Sequence, residues 1–245
     1  MDFRGKTALV TGAAVGIGRA AAIRLAEGGA DLMLMDVNGE KLGKTAKELE
    51  KYPVKVISCV CDVADEEQVR EMVREGEREL GKIDILVNNA ALWRCWKPFI
   101  ETDSGEWKKF LDVNIMGTVY CTRAVLGGMT ERKYGRIINI ASVAGVYGNA
   151  NMVHYSATKG AIIAMTKALA KEVAAQGVTV NSISPGSVSP SDHDDMDYSQ
   201  PSELSFMGRT GTDRENADLI CFIASEEAGY ISGQNIQIDG CRKKQ

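Results

Sequence analysis

The sequence has few of the residues from which metal sites and disulfide frameworks are built. Its 245 residues include two histidines and six cysteines, and the cysteines are scattered with no C-x-x-C pair. We therefore do not expect a histidine-rich zinc site. A chain of this length needs no disulfide framework, so the cysteines are interpreted mostly as buried thiols of a reducing, cytoplasmic compartment.

Long apolar runs and a basic excess are also lacking. No segment is long and apolar enough to span a bilayer, and the sequence shows no secretory signal pattern. The net charge is −4, with a small basic exception, "RKK", at 242–244. Neither nucleic acid nor a membrane is therefore expected as a partner. The composition, 44% hydrophobic and 25% charged, is typical of a soluble globular protein, and we expect one domain over 1–245.

Short runs rich in Val and Ile alternate with longer helical patterns along the chain. This alternation predicts βαβ units and a Rossmann-like α/β fold, a doubly wound parallel sheet with helices on both faces. An irregular segment, 189–205, is predicted to be a mobile loop or a lid over the substrate. The predicted strands are 6–11, 31–36, 54–60, 83–88, 135–141, 178–184 and 234–239. The predicted helices lie near 16–28, 39–50, 65–80, 103–132, 152–176 and 213–225.

The segment "TGAAVGIG" places Gly12, Gly16 and Gly18 between the first strand and the first helix. Glycine permits a tight turn and a close approach of the backbone to a pyrophosphate, whose charge the helix N-terminus attracts. The spacing of three residues and then one differs from the G-x-G-x-x-G fingerprint. Taken alone, the segment is also compatible with an ordinary glycine-rich turn.

The second predicted strand ends at Asp36, close to where a dinucleotide fold places an acid on the adenosine ribose. A carboxylate there repels a 2′-phosphate. Val15 and Val37 stand at neighbouring positions where a basic residue would attract one. We therefore predict NAD rather than NADP as the cofactor. The alternative interpretation is a surface Asp that ends a strand.

Within "VHYSATKGA", Tyr155 and Lys159 are four residues apart on the predicted helix 152–176 and so share a face. A tyrosine ionises near a pH of about 10, and a nearby cation favours the phenolate. The pair is thus suited to proton exchange. Taken alone, it is more typical of an ordinary tyrosine beside a solvated lysine. His154 is interpreted as structural or as a pocket wall.

The chain resembles the short-chain dehydrogenase/reductase family in its single-domain form. The resemblance covers essentially the whole chain and implies an oxidoreductase that interconverts a secondary alcohol and a ketone with NAD. It rests on motifs that occur together in the expected order: "TGAAVGIG", "CDV", "NNAA", Asn114, Ser142, "YSATK" and "SPG".

The resemblance implies four catalytic residues, Asn114, Ser142, Tyr155 and Lys159. Tyr155 would exchange a proton with the substrate oxygen, and Ser142 would donate a hydrogen bond to that oxygen. Lys159 would favour the phenolate and hold the nicotinamide ribose. Asn114 would support a water-mediated proton path to the lysine; the alternative is an Asn that satisfies its own backbone within a helix.

The resemblance also implies the cofactor contacts, all of which fall at the carboxyl edge of the predicted sheet. Tyr155 and Lys159 would contribute to the nicotinamide end, and Asp36 to the adenosine ribose. The remaining contacts are the pyrophosphate turn (Gly12, Val15, Gly16, Ile17 and Gly18), the adenine contacts (Asp62 and Val63), the turn beside the ribose (Asn89 and Ala90) and the segment that receives the nicotinamide amide (Pro185, Gly186 and Val188).

Three positions depart from the family pattern. Ala91 and Cys241 stand where glycine is usual, and Pro190 stands where a threonine often contacts the carboxamide. Ser189 or Ser191 is a candidate to replace that threonine. We expect the cofactor pocket to remain usable.

The segment "LWRCWKPF", 92–99, follows the fourth strand and is predicted to border the pocket with Trp93 and Trp96. The alternative is aromatic packing beneath the pocket or between subunits. Tyr147 and the 189–205 lid are the other predicted walls. Together they favour a bulky, largely apolar alcohol or ketone such as a hydroxysteroid. The acids of the lid would discourage a densely anionic substrate if the lid closes: Asp192, Asp194, Asp195 and Asp197.

Two other functions are considered. One is an NADPH-dependent 3-oxoacyl carrier-protein reductase, against which Asp36 and the acidic lid argue. The other is a non-catalytic dinucleotide-sensing scaffold, against which the intact Ser142, Tyr155 and Lys159 argue. The resemblance also implies a homo-oligomer, with a tetramer favoured, in which the helices 103–132 and 152–176 pair between subunits.

Overall fold

A seven-stranded parallel sheet organises the chain. The computed structural model describes residues 1–94, 96–189 and 195–243. The strand order is β3-β2-β1-β4-β5-β6-β7, and every neighbouring pair is parallel. The strands are β1 Thr7–Thr11, β2 Asp31–Asp36, β3 Val56–Val60, β4 Ile85–Asn88, β5 Gly135–Ile140, β6 Val178–Pro185 and β7 Asn235–Ile238. The predicted doubly wound α/β fold is confirmed.

Helices cover both faces of the sheet. They are α1 Gly16–Glu27, α2 Gly39–Leu49, α3 Glu66–Leu80, α4 Ser104–Leu111, α5 Gly117–Glu131, α6 Ala144–Tyr147, α7 Val153–Val173 and α8 Asp213–Ala224. Among the helices of the described ranges, none has the length and apolar character needed to cross a membrane.

The core consists of two clusters, one on each face, because strand side chains alternate between the faces. On β1, Ala8 and Val10 pack into the cluster under α1, α2 and α8, whereas Leu9 packs into the cluster under α3, α5 and α7. All three are fully buried. Burial on both faces explains why these strands read as continuous apolar runs.

The predicted helix 103–132 is not a regular α-helix throughout. A π-helical turn at Asp112–Met116 separates α4 from α5. The short helix α6 was not predicted, and the other predicted elements agree with the structure to within three residues at each end. A π-turn adds one residue to the helical repeat, and no residue type marks it in the sequence.

The direction of winding reverses where β1 lies between β2 and β4. In an open parallel sheet, the loops at the carboxyl ends of the strands diverge at this point and leave a crevice. The segment from 195 to 209 and the C-terminal tail close one side of the crevice through short antiparallel bridges. The fold therefore predicts where a ligand binds before any side chain is considered.

Candidate active site

A cleft of about 950 Å³ opens at the carboxyl ends of β1 to β6. Of the residues predicted to act in catalysis or to bind the cofactor, all but Gly18 and Asn114 line it. These residues come from segments far apart in the sequence: the end of β2, the turns after β1, β3, β4, β5 and β6, and the helix α7. The structure thus brings the predicted set together in one place.

The turn between β1 and α1 depends on glycine. Gly12 and Gly16 have left-handed backbone conformations, with φ values of 63° and 59°. A Cβ atom on Gly18 would lie 2.1 Å from the carbonyl oxygen of Gly12. Gly18 therefore lies behind the turn and allows its tight packing, and its contact with the pyrophosphate stays a prediction.

The N-terminus of α1 faces the cleft without a side-chain cap. Its N-cap residue is Val15, whose side chain makes no hydrogen bond to the helix backbone. In contrast, side chains cap four other helices: Asn38 caps α2, Asp65 caps α3, Asp103 caps α4 and Thr212 caps α8. The first N–H groups of a helix have no partner within the helix, and with the helix dipole they favour an anion. The end of α1 therefore fits a pyrophosphate.

Asp36 is fixed at the end of β2. One carboxylate oxygen accepts the Ala14 N–H at 3.0 Å, and the other accepts the Asn38 N–H at 2.9 Å. The neighbouring Val37 is 65% exposed. Lys159 and Arg242 are the only Lys or Arg side chains among the described residues that line the cleft, and neither lies on these turns. This end of the cleft therefore presents a fixed carboxylate that can accept hydrogen bonds from ribose hydroxyls.

The turns after β1 and β4 are tied together by Thr11 and Asn89. The Asn89 side-chain amide donates to the carbonyl oxygens of Thr11 and Gly12, both at 3.0 Å. The Thr11 hydroxyl accepts the N–H groups of Asn89 and Ala90, also at 3.0 Å. Thr11 is the first residue of the motif "TGAAVGIG", but it was given no role in the predicted site, although its position directly before Gly12 could have indicated one. Asp62 and Val63 line the cleft after β3.

Ser142, Tyr155 and Lys159 meet in the middle of the cleft. Lys159 is buried, its Nζ donates to the Ile140 carbonyl oxygen at 2.6 Å, and it lies 5.8 Å from the centroid of the Tyr155 ring. The Ser142 Oγ accepts the Ala144 N–H at 3.1 Å, at the start of the unpredicted helix α6. The expected face shared by Tyr155 and Lys159 is present.

The electrostatics of this group differ from the expectation that Lys159 lowers the pKa of Tyr155. Burial raises the pKa of Tyr155, and a hydrogen bond with Ser142 opposes that change. Burial also lowers the pKa of Lys159 to about 8. Lys159 donates its hydrogen bond to the Ile140 carbonyl, so it acts on the Tyr155 phenolate through its charge, whereas Ser142 acts through a direct hydrogen bond.

Asn114 occupies the π-turn and does not line the cleft. Its Oδ1 accepts the Leu92 N–H at 2.7 Å, and its Nδ2 donates to the Leu92 carbonyl at 2.9 Å and to Thr158 Oγ1 at 3.0 Å. The alternative that Asn114 satisfies its own backbone is therefore wrong. The side chain instead fixes the loop after β4 to α7.

The segment after β6 continues the cleft wall. The Gly186 N–H donates to the Ile238 carbonyl oxygen, and a Cβ atom on Gly186 would lie 2.8 Å from the Asp239 Cα. Val188 forms a bridge to Gly211, and Ser189 is buried with its hydroxyl 2.7 Å from that of Thr210. Of the two candidates for the missing threonine, Ser189 lines the cleft; Ser191 and Pro190 lie outside the described residues.

Large apolar side chains contribute to the outer end of the cleft. Trp93 and Trp96 line it and are 44% and 68% exposed, which agrees with the prediction that 92–99 borders the pocket. The prediction for Tyr147 is wrong: its hydroxyl donates to Gln237 Oε1 at 2.6 Å, and its side chain is not part of the cleft wall. His154 is fully buried against Phe110, as expected for a structural residue.

The described part of the lid contributes Gln200 and Leu204 to the cleft. Its acids do not line the cleft: Asp197 accepts from the Arg214 Nε at 2.8 and 2.9 Å, and Asp195 accepts the Asp197 N–H. Asp192 and Asp194 lie outside the described residues. Asp195 and Asp197 of the lid therefore do not support the prediction that the lid repels an anionic substrate.

A parallel sheet with a glycine turn at its switch point and a Ser-Tyr-Lys group in the crevice defines a dinucleotide-binding oxidoreductase. Residues 6–200 match the family model described as short chain dehydrogenase. The chain therefore belongs to the short-chain dehydrogenase/reductase family, as its motifs predicted, and is an oxidoreductase that acts on CH–OH groups.

Several known proteins are similar to this chain over nearly its full length, and they are named for different substrates. The chain is 37% identical to a 3-oxoacyl-(acyl-carrier-protein) reductase of Thermotoga maritima, with 98% of each chain covered. It is also 37% identical to a 2-dehydro-3-deoxy-L-rhamnonate dehydrogenase (NAD(+)) of a Sphingomonas species, covering 98% of this chain and 96% of the relative. An NAD+-bound xylitol dehydrogenase has a similar structure, with a TM-score of 0.90 and 35% identity over 98% of this chain and 100% of that one. The similarity thus extends to proteins with several substrates.

Proposed function

We propose that the protein interconverts a secondary alcohol and a ketone with NAD(H), on a bulky, largely apolar substrate of which a hydroxysteroid is a representative. The observation that carries this proposal is the convergence of Ser142, Tyr155 and Lys159 with the uncapped end of α1 in one cleft. The two exposed tryptophans at the outer end support the apolar substrate.

The residues that would hold NAD follow from the cleft. When bound, NAD supplies the hydride acceptor, and NADH the hydride donor, for the substrate carbon. Asp36 would bind the adenosine ribose hydroxyls, and Lys159 the nicotinamide ribose. The remaining proposed contacts are Gly12, Val15, Gly16 and Ile17 for the pyrophosphate, Asp62 and Val63 for adenine, Asn89 and Ala90 beside the ribose, and Pro185, Gly186 and Val188 for the nicotinamide amide.

The three catalytic side chains have separate roles in the proposed reaction. In the reducing direction, the Tyr155 hydroxyl gives its proton to the carbonyl oxygen as negative charge builds on that oxygen. Ser142 donates a hydrogen bond to the same oxygen. The Lys159 ammonium, charged below a pKa of about 8, stabilises the phenolate that remains. Asn114 holds the adjoining loop and is proposed to support the proton path to Lys159.

The preference for NAD over NADP is supported by charge. Asp36 presents a carboxylate whose two oxygens are fixed by main-chain N–H groups. The negative charge of a 2′-phosphate would be repelled by this carboxylate. No described Lys or Arg on the adjoining turns lines the cleft to offset that repulsion. The names of two relatives include NAD, which is consistent with this assignment.

The test is turnover of a ketone panel that includes oxosteroids, with NADH and NADPH compared. We expect turnover with NADH, and we expect Tyr155→Phe to retain NADH binding while kcat falls by about 10²- to 10⁴-fold. Tyr147→Phe is the matched control, since Tyr147 lies outside the cleft. Substantial activity of Tyr155→Phe would contradict the proton-transfer role, and cofactor binding with no turnover of any carbonyl would favour the scaffold alternative.

A second candidate, a 3-oxoacyl carrier-protein reductase, is favoured by the name of the Thermotoga maritima relative. It would reduce an acetoacetyl thioester, and NADPH would be its expected cofactor. Efficient turnover of this pair, with poor turnover of free ketones, would replace the first proposal.

We also propose a homotetramer in which α5 and α7 pair between subunits. Four alanines on α7 are exposed and would let another helix approach closely: Ala157, Ala161, Ala164 and Ala168. Light scattering measures the mass directly. Ala164→Arg should dissociate the assembly, and a monomeric wild-type protein would contradict the proposal.

A further inference from the structure

A second cation lies in the cleft besides Lys159. Within the part of the chain that the structure describes, Lys159 and Arg242 are the only Lys or Arg side chains in the cleft wall. Lys159 is buried and donates to the Ile140 carbonyl. Arg242 is half-buried and lies on the tail beside the lid. A guanidinium there has no role in the reaction proposed above.

The backbone around Arg242 is held in a defined position. Arg242 forms an antiparallel bridge with Ser205 of the lid. On either side, the Phe206 N–H donates to the Cys241 carbonyl at 2.9 Å, and the Lys243 N–H donates to the Leu204 carbonyl at 3.0 Å. Since Leu204 itself lines the cleft, the lid and the tail form one wall, and Arg242 is part of that wall.

The Arg242 side chain has donors to spare. Its Nη2 donates to Asn149 Oδ1 at 3.2 Å. In contrast, the other two arginines of this region bind carboxylates, Arg209 that of Glu215 and Arg214 that of Asp197. Among the described residues, no carboxylate pairs with Arg242. A guanidinium has five N–H donors, and its fork matches a carboxylate in two parallel hydrogen bonds.

We propose that Arg242, oriented by Asn149, binds a carboxylate of the substrate. The inference rests on the proposed function, because it assigns the substrate class of the same cleft: an oxo acid or hydroxy acid whose skeleton packs on Trp93, Trp96 and Leu204. Asn149 is a positioning residue, since it acts through the guanidinium. The carboxylate lies at the outer end of the skeleton, away from the carbon that reacts at Tyr155.

The test compares binding of acids with binding of their neutral esters. Dehydrocholate and its methyl ester serve as a large pair, and levulinate and methyl levulinate as a small pair. Calorimetric titration into the protein saturated with NAD+ gives dissociation constants without turnover. We expect at least one acid to bind about 10- to 100-fold more tightly than its ester, the range for a hydrogen bond to a charged group.

Variants assign the preference to one side chain. Arg242→Gln should reduce the acid-to-ester ratio to within about twofold, and Arg242→Lys should retain part of it because the charge remains. Lys243→Gln is the matched control: it removes the adjacent positive charge, but Lys243 does not line the cleft, so the ratio should stay as in the wild type. Unfolding temperatures of all three variants confirm that the fold is intact.

The outcomes separate the two proposals. Esters that bind as tightly as their acids, an unchanged ratio in Arg242→Gln, or no binding of any probe would overturn the assignment of Arg242. Turnover with NADH is measured in parallel on the same four probes. Absence of turnover would count against the proposed oxidoreductase function, while the ratio of dissociation constants would still decide whether Arg242 binds a carboxylate.

Discussion

The two ends of the cleft are built in different ways. At the dinucleotide end, the walls are strand-end turns fixed by part-buried hydrogen bonds between side chains and backbone, such as those of Thr11 and Asn89. At the substrate end, three segments far apart in the sequence meet: the loop after β4 with Trp93 and Trp96, the lid, and the tail with Arg242. The first end tolerates little change because its contacts are to backbone, whereas the second can change its chemistry by exchanging side chains.

Gly18→Ala should cause the largest effect, since it disrupts the backbone at the dinucleotide end. The added Cβ would lie 2.1 Å from the Gly12 carbonyl oxygen. This oxygen belongs to the backbone, so it cannot move away as the end of a flexible side chain could. Overpacking of this kind costs about 1 to 3 kcal/mol of folding stability, and the displaced turn should weaken NADH binding by up to about 100-fold. Fluorescence titration with NADH measures the loss.

Gly43→Ala is the control for this substitution. Gly43 lies on α2, and an added Cβ atom would have nothing within 4 Å, so the change should leave NADH affinity as it is and stabilise the helix by up to about 1 kcal/mol. If Gly18→Ala binds NADH as well as Gly43→Ala does, the dinucleotide end is more adaptable than its packing indicates.

Lys159 lies between the two ends, and its burial should make stability depend on pH. Its pKa is lowered to about 8 from an ordinary value of 10.5, so above pH 8 the unfolded chain binds more protons than the folded one. The free energy of unfolding therefore rises as pH increases through this range. Relative to Lys159→Met, the free energy of unfolding of the cofactor-free wild type should rise by up to about 3 kcal/mol between pH 8 and pH 10.5.

Urea denaturation of both proteins across this range measures the difference. The variant cancels the contributions of the other titrating groups, since these remain in both proteins. Parallel curves for the two proteins would show that the buried Lys159 titrates as it does in the unfolded chain.

Asp36→Ala tests whether charge sets the cofactor preference. Removing the carboxylate should lower the ratio of kcat/KM for NADH to that for NADPH by at least about tenfold, because the repulsion of a 2′-phosphate is lost. Asp31→Ala is the control, since Asp31 begins the same strand at the opposite edge of the sheet. An equal change in both variants would mean that net charge, rather than the position of Asp36, decides the preference.

The dinucleotide end could be predicted from the sequence because it depends on short-range patterns. Glycines, a strand-terminal acid and an i, i+4 pair leave local signals, and the fold brings them together at the sheet edge. The supporting parts left weaker signals. No residue type marks the π-turn at Asn114, and the helix after Ser142 is only four residues long.

The substrate end could be predicted only where one segment carries its own signal. The tryptophans of 92–99 stood out by residue type. Arg242 did not, because its place in the cleft depends on pairing between 204–206 and 241–243, a contact with no local pattern. Tyr147 was assigned to the wrong surface for the same reason: sequence proximity to Ser142 does not fix where a side chain points.

Cys241→Gly tests the tail at the substrate end and should have the smallest effect. Cys241 has a φ of 59° where the family usually has glycine. A left-handed conformation costs a residue with a Cβ about 1 to 2 kcal/mol, and the added freedom of glycine in the unfolded chain offsets part of the gain. Thermal unfolding should therefore show a stabilisation of about 0.5 to 1 kcal/mol. Cys241→Ala keeps the Cβ and should show none, so an equal gain in both variants would point to the thiol instead of the backbone.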